Sequence, residues 1–446
     1  MISPSRTRLR GRPGVRRTAS AAVLGLACGL LASCGGEGKT SLTWYVNPDG
    51  VEIFQEYADS CSTDDYDISV QQLPSSATDQ RVQLARRLAA EDSSTDLMNL
   101  DPVFVAEFAN AGWLAEVPQE KAEQILSSIE GDGDYLTGAA ETVVWDDTVY
   151  AIPQWANTQV LWYRKSLAEA AGLDMDQPVT WQQIIDAASS EGGSVGVQAN
   201  RYEGYVVWIN ALVEGAGGSI VENTEAGRDA DVTIGSEAGQ KAAEVIQSLA
   251  ESPAAQPDLS VSNEGTVLGP MWSDPGEFMV NWTFVYKNYE GQVGAAGGPE
   301  DDQAFEDLGW ARYPATVEGE ESRPPIGGID IGVGAYSEHP DWAAEAAECI
   351  TSTEAQVDLA LKAGLMPSTN AAYEEVASSG DYPEDLVELF RDSVDTGGPR
   401  PKSAFYATIS NALQTQWHAP GSVDPSSTPK ESATFLEAVL EGKELL

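Results

Sequence analysis

The sequence is poor in histidine, in positive charge and in long apolar runs. Its two histidines, His339 and His418, stand in polar, loop-like contexts and in no spaced motif. That argues against a nucleophilic triad and against a zinc site, both of which need imidazoles in recognisable patterns. Lysine and arginine number 25 against 70 aspartates and glutamates, a formal net charge of −45 over 446 residues. Such a surface is a poor partner for nucleic acid and anionic lipid, and for phosphorylated ligands unless a local basic pocket overrides the field. The acidic excess reads as a solvated face and names no ligand. No apolar run reaches the roughly 20 residues of a spanning helix. There is no internal repeat and no low-complexity tract longer than a loop, and the β-rich repeats of an adhesin or structural lipoprotein are absent.

What is present is globular. Apolar residues make up 42% and charged residues 21% of the chain, and its length suggests two or three domains. Residues 1–33 stand apart. They carry Arg6, Arg8, Arg10, Arg12, Arg16 and Arg17 and no acid, followed by the apolar stretch 21–32. A basic segment, a short apolar one and small residues before a cleavage point make a secretory signal. Arg16-Arg17 adds a weak twin-arginine feature.

Beyond the signal, residues 41–46, 66–73 and a short stretch from Asp96 read as strands, and 51–60, 78–88 and the segment between the Asp101-Pro102 turn and Gly112 as helices. Such alternation predicts an α/β fold with a mostly parallel sheet covered by helices on both faces. Asp101 sits where a strand gives way to a helix, and ligands of open α/β sheets bind outside the carboxyl ends of the strands. Residues 142–153 read as a hairpin around Asp146-Asp147, and residues 159–163 as a separate strand. Thr180 and Gln183 form a capping box ahead of Trp181, Ile184, Ile185 and Ala188 on one helical face. Residues 278–282 read as a buried strand and 326–334 as a Gly-rich apolar segment. Trp342, Ala346, Cys349 and Ile350 begin a helical stripe that residues 351–363 continue.

Leu31-Ala32-Ser33-Cys34 resembles a bacterial lipobox, which implies cleavage before Cys34 and a lipid on its thiol. Residues 34–39 are then a tether. Cys28 leaves with the signal. Cys61 and Cys349 remain as an even pair in an exported chain, and a disulfide between them is expected, two buried thiols being the alternative.

Further pieces, in order, carry a wider resemblance: the 96–114 strand-turn-helix, Ala151-Ile152-Pro153 ahead of Leu161-Trp162-Tyr163-Arg164-Lys165, Pro178–Trp181, Val280-Asn281-Trp282 and Gly327-Gly328. From Ser41 onward the chain resembles the extracellular solute-binding proteins of bacterial sugar ABC importers. It is most similar to actinobacterial trehalose-binding lipoproteins, on Pro48-Asp49-Gly50, residues 79–88, Ala106-Glu107-Phe108, Asn157-Thr158-Gln159, Tyr202-Glu203-Gly204, Asn263-Glu264-Gly265-Thr266 and Arg400-Pro401. Cys61 and Cys349 fall where those relatives carry a pair. Gly269-Pro270 and Asp274-Pro275 depart from the pattern, in which a helix continues after Glu-Gly-Thr.

The resemblance implies a two-lobe periplasmic-binding-protein fold with a hinge and an interlobe ligand cleft. It places one lobe at 40–154 with 327–367 and the other at 155–326 with 368–446. It implies a monomeric, lipid-anchored protein on the outer face of the cell membrane. That protein captures a disaccharide, trehalose first among candidates or else another α-glucoside such as maltose, and hands it to permease subunits, with no cofactor, metal or catalysis. The polar candidates are Asp49, Asp79, Gln80, Asp101, Asn157, Glu203, Glu264 and Arg400, residue types that engage adjacent sugar hydroxyls. Tyr202 and Trp282 are candidates to cover the C–H face of a sugar, and Gly327 and Gly328 let backbone approach it. Each has a plain structural reading as well: Asp101 as a helix cap, Asp79 and Gln80 as first-turn polar residues, Trp282 as core, and Glu264 as a solvated loop acid. A secreted glycoside hydrolase also uses paired carboxylates and aromatic platforms. Turnover of the sugar separates the two.

Overall fold

The computed structural model describes residues 39–446. The expected signal, Cys28 and the expected lipidation site Cys34 lie outside the described residues. Parallel neighbours require a crossover, and the early strands supply it in the simplest way. Thr40–Val46 is followed by the helix Val51–Ser60 and then by Tyr66–Gln72, which pairs with the first strand in parallel. The helix Ala77–Leu88 leads to Leu97–Leu100, which is parallel to the other edge of the first strand.

These strands belong to a nine-stranded sheet. Its path runs Tyr66–Gln72, Thr40–Val46, Leu97–Leu100, Pro325–Val333, Ala151–Arg164, Glu277–Trp282 and Ser194–Gly196. Leu308–Ala311 also pairs with Ala151–Arg164, and Gly398–Pro399 pairs with Pro325–Val333. The sheet is mixed rather than mostly parallel. Pro325–Val333 is antiparallel to both its main neighbours, and Ala151–Arg164 is antiparallel to Glu277–Trp282 and Leu308–Ala311. The chain returns to the sheet late, through strands that local alternation does not order.

The separate hairpin and strand expected over 142–163 are a short hairpin and one long strand. Val144–Trp145 pairs with Thr148–Val149 through Asp146 and Asp147, both in the left-handed region. Ala151–Arg164 then runs unbroken for 14 residues. Polar residues in its middle hide it from an apolar pattern, yet they are buried and bonded. Gln154 donates to the Ile350 carbonyl at 3.0 Å and Gln159 to Gln198 at 2.9 Å. The first half of this strand pairs with Pro325–Val333 and the second half with Glu277–Trp282.

The core divides accordingly. One cluster gathers Leu42, Trp44, Phe54, Leu84, Phe108, Ile152, Ile331 and Ile350. A second gathers Leu161, Trp181, Trp208, Ile246, Phe278, Leu413 and Leu436. A third, beside the crossing strands, joins Leu136 and Ala360 to Trp162, Met279, Tyr373 and Phe390. Cys61 and Cys349 are bonded, with Cα atoms 5.9 Å apart, against the first cluster.

Thr180 and Gln183 make the expected capping box at the start of Trp181–Glu191. The stripe from Trp342 onward is two helices, Pro340–Ile350 and Thr353–Ala363, because Ser352 turns the chain and caps the second by accepting from the Ala355 N–H at 3.4 Å.

Candidate functional site: a polar cleft between two cores

Three groups of loops converge at the carboxyl ends of Thr40–Val46 and Leu97–Leu100, where open α/β sheets hold ligands. They enclose a cleft of about 610 Å³, within the range of small-molecule sites. One wall is Asn47–Gly50, Ser75–Thr78, Gln80 and Asp101. The facing wall is Tyr202–Gly204, Val207, Glu264–Gly265, Trp282 and Phe284. The floor is Trp155, Asn157 and Gly327–Ile329, with Arg400 at one end.

Of the twelve candidate residues, eleven line this cleft: Asp49, Gln80, Asp101, Asn157, Tyr202, Glu203, Glu264, Trp282, Gly327, Gly328 and Arg400. Asp79 does not. It occupies the exposed first turn of Ala77–Leu88, where its N–H donates to the Ser76 cap at 3.4 Å. One residue along a helix turns a side chain through about 100°, which separates it from Gln80. Gln80 is buried and donates to the Pro74 carbonyl at 2.8 Å.

Asp49 is positioned by a chain of neutral donors. Trp44 Nε1 donates to Asn99 Oδ1 at 2.7 Å, Asn99 Nδ2 to Asn47 Oδ1 at 2.7 Å, and Asn47 Nδ2 to Asp49 Oδ2 at 3.3 Å. Asn47, Trp155 and Phe284 line the cleft and were not among the candidates. Asn47 and Phe284 lie two residues from Asp49 and Trp282, which is the signal that could have found them. Trp155 is 3% exposed and stacks on Phe54 at 5.7 Å, so its core role hides its place in the floor.

Asp101 does two things at once. Its carboxylate caps Pro102–Asn110 by accepting from the Val103 N–H at 3.3 Å, and it pairs with Arg400 Nη2 at 2.8 Å. Arg400 Nη1 pairs with Glu203 at 2.9 Å. Glu203, at the start of Glu203–Glu214, also accepts from the hydroxyls of Tyr406 and Ser410. Burial pushes the Glu203 carboxyl up, and Arg400, Ser410 and Tyr406 pull it back. Burial alone would weaken the Arg400 cation, but Asp101, Tyr406 and Glu203 outweigh it and hold the guanidinium protonated. The triad ties a wall on the first core to a wall on the second.

On that second wall Tyr202 Oη donates to Glu264 Oε2 at 2.8 Å, and Asn281 Nδ2 holds the Glu264 backbone carbonyl at 3.0 Å. Burial raises the Glu264 carboxyl, with Tyr202 opposing. Trp282 packs against Gly327: a Cβ on residue 327 would stand 2.9 Å from two of its ring carbons. Gly328 has φ +133°, and its Cβ would meet the Trp155 carbonyl oxygen at 2.2 Å, so the floor there admits backbone alone.

Two α/β lobes joined by shared strands hold between them a polar cleft of small-molecule size with an aromatic ring on one wall. The model of the family described as bacterial extracellular solute-binding protein matches residues 47–357. The chain belongs to that family. Among curated relatives, the "Probable ABC transporter-binding protein" of Deinococcus radiodurans is 26% identical over 260 residues, 55% of this chain and 57% of that one. The "sn-glycerol-3-phosphate-binding periplasmic protein UgpB" of Rhizobium meliloti is 25% identical over 254 residues, 53% of each chain. The matches thus span little more than half the length of these relatives. Among solved structures, "Maltose bound T. maritima MalE3" superposes over 90% of this chain and 99% of its own, with a TM-score of 0.73 and 22% identity, a likeness of fold.

Proposed function

We propose that this chain is the substrate-binding subunit of an ABC importer and that its ligand is a disaccharide, trehalose first among candidates. The observation that carries the reading is the cleft. It is large enough for two sugar rings, it draws polar side chains from opposite walls, and Trp282 supplies an aromatic ring in its lining that can cover a C–H face. Hydrogen bonds from sugar hydroxyls to charged groups contribute roughly 1.5–3 kcal/mol each. The relatives named for a transporter and for maltose support the class of solute. The choice of trehalose rests on the resemblance of the motifs at Asp49, Asn157, Glu203, Glu264 and Arg400.

In this reading one lobe comprises 40–154 with 327–367 and the other 155–326 with 368–446. The solute closes them by bending the shared strands, since contacts to both walls exist in the closed state alone. Cys34 carries the lipid that holds the protein outside the cell membrane, where a monomer delivers solute to permease subunits. The sugar leaves intact.

The test is thermal melting of the purified full chain against trehalose, maltose, sucrose, cellobiose and glucose. A ligand at 100 times its dissociation constant stabilises the native state by about 2.7 kcal/mol. A shift with trehalose alone supports the narrow reading. A shift with another sugar discards trehalose and keeps the importer. Hydrolysis of any bound sugar overturns the binding-protein reading.

A further inference from the structure

The charge of the cleft asks for an explanation that neither its size nor its shape supplies. Four carboxylates line it: Asp49, Asp101, Glu203 and Glu264. Among the described residues that line it, Arg400 is the sole base. Arg400 is already neutralised from both sides, by Asp101 at 2.8 Å and Glu203 at 2.9 Å. Its charge is thereby offset by two carboxylates, and its Nε is buried, away from an incoming anion.

Asp49 and Glu264 have no such partner among the described residues. Asp49 accepts from the Asn47 amide at 3.3 Å, and Glu264 from the Tyr202 hydroxyl at 2.8 Å; both donors are neutral. The two acids come from facing walls, and beyond the effect of burial the charge of Asp49 pushes the Glu264 carboxyl further up. Where both are ionised they only accept, so a ligand between them must donate hydrogen bonds to both. Hydroxyls and ammonium groups do so, whereas phosphates and carboxylates at neutral pH only accept.

Resting on the reading of this cleft as a saccharide site, we propose that Asp49 and Glu264 make it selective by charge. It takes uncharged saccharides and those bearing a protonated amine, and it excludes phosphorylated and carboxylated ones. The chain then differs in ligand class from the relative named for a phosphate ester.

The experiment is titration calorimetry on the full chain. The best neutral disaccharide from the melting panel is compared with its 6-amino-6-deoxy, uronate and 6-phosphate derivatives. The amine and the uronate are nearly equal in size and opposite in charge, so they separate sterics from electrostatics. The amine is expected to bind within tenfold of the parent or tighter, and the uronate and phosphate at least 100-fold more weakly. In an Asp49→Asn/Glu264→Gln double variant the gap between amine and uronate should narrow at least tenfold. In the unaltered protein it should narrow as salt rises from 0.05 to 1 M, as screening requires. The proposal is overturned by a uronate or phosphate that binds within tenfold of the parent, by an amine that loses as much as the uronate, or by a gap that salt does not change. Those results leave saccharide binding itself intact. Absence of binding by any saccharide, of whatever charge, overturns the saccharide reading and the selectivity with it.

Discussion

A methyl group at residue 327 would press on the ring of Trp282, because the ideal Cβ stands 2.9 Å from two ring carbons. Gly327→Ala is therefore expected to tilt that ring and weaken sugar binding by tenfold or more with a small change in melting temperature, which calorimetry and a melt read separately. Arg400 makes the opposite case. It is 5% exposed and faces two acids. Arg400→Met leaves those acids uncompensated, at a cost of roughly 3–5 kcal/mol. Urea titrations should show that loss at pH 7 and a smaller one at pH 4, because burial raises the Glu203 carboxyl and lets it protonate. Glu277 lies outside the cleft and is fully buried, with Gln256 and Ser194 donating to one oxygen and no partner for the other. Burial pushes its carboxyl well above the usual range. The folded state therefore binds a proton that the unfolded chain releases near pH 4.5, and stability falls as pH rises through the interval above that value. Glu277→Gln should raise the melting temperature at pH 8 and flatten its dependence between pH 5 and 8.

Elements show how local rules and long-range demands divide the work. The helix Trp181–Glu191 is specified locally: the Thr180 side chain accepts from the Gln183 N–H at 3.2 Å, and the Gln183 side chain accepts from the Thr180 N–H at 2.8 Å. Thr180→Ala should cost about 1 kcal/mol of stability and leave sugar affinity unchanged, because the cap is remote from the cleft lining. The strand Ala151–Arg164 is specified from a distance. Its polar centre is held from outside the strand: neighbouring strands take up its backbone, and the amide nitrogens of Gln154 and Gln159 donate to Ile350 and Gln198. Its partner strand shifts register between Ile329 and Asp330, next to Gly328. Any side chain at 328 meets the Trp155 carbonyl, so Gly328→Ala should destabilise the protein well beyond the usual cost of a surface substitution.

For the molecule as a whole, the disulfide joins residues 288 positions apart, yet both cysteines pack beside one core. A loop of that length gives a stabilisation of about 6 kcal/mol in the chain-entropy model, before native strain is subtracted. Reduction should lower the melting temperature while the affinity for sugar stays within a few-fold, since the bond does not cross the cleft. Small-angle scattering with and without the bound disaccharide should show a smaller radius of gyration in the complex. An unchanged radius would remove lobe closure from the mechanism.

Legible in the sequence were the α/β class, the capping box at Thr180, the pairing of Cys61 with Cys349 and eleven of the residues that line the cleft. Periodicity, caps and turn residues report local backbone state, and the resemblance of short motifs pointed to Asp49, Asn157, Glu264 and Trp282. It did not separate Asp79 from Gln80, because the direction of a side chain depends on which helical face is buried. It did not join residues 151–158 to 159–164, because a polar centre reads as a break until its partners are known. The electrostatics of the cleft were decided by tertiary structure alone. Arg400 meets Glu203 and Asp101 across 197 and 299 residues of chain. Whether a charge is neutralised or left to face a ligand depends on desolvation and on neighbours in space, and neither is written in local sequence.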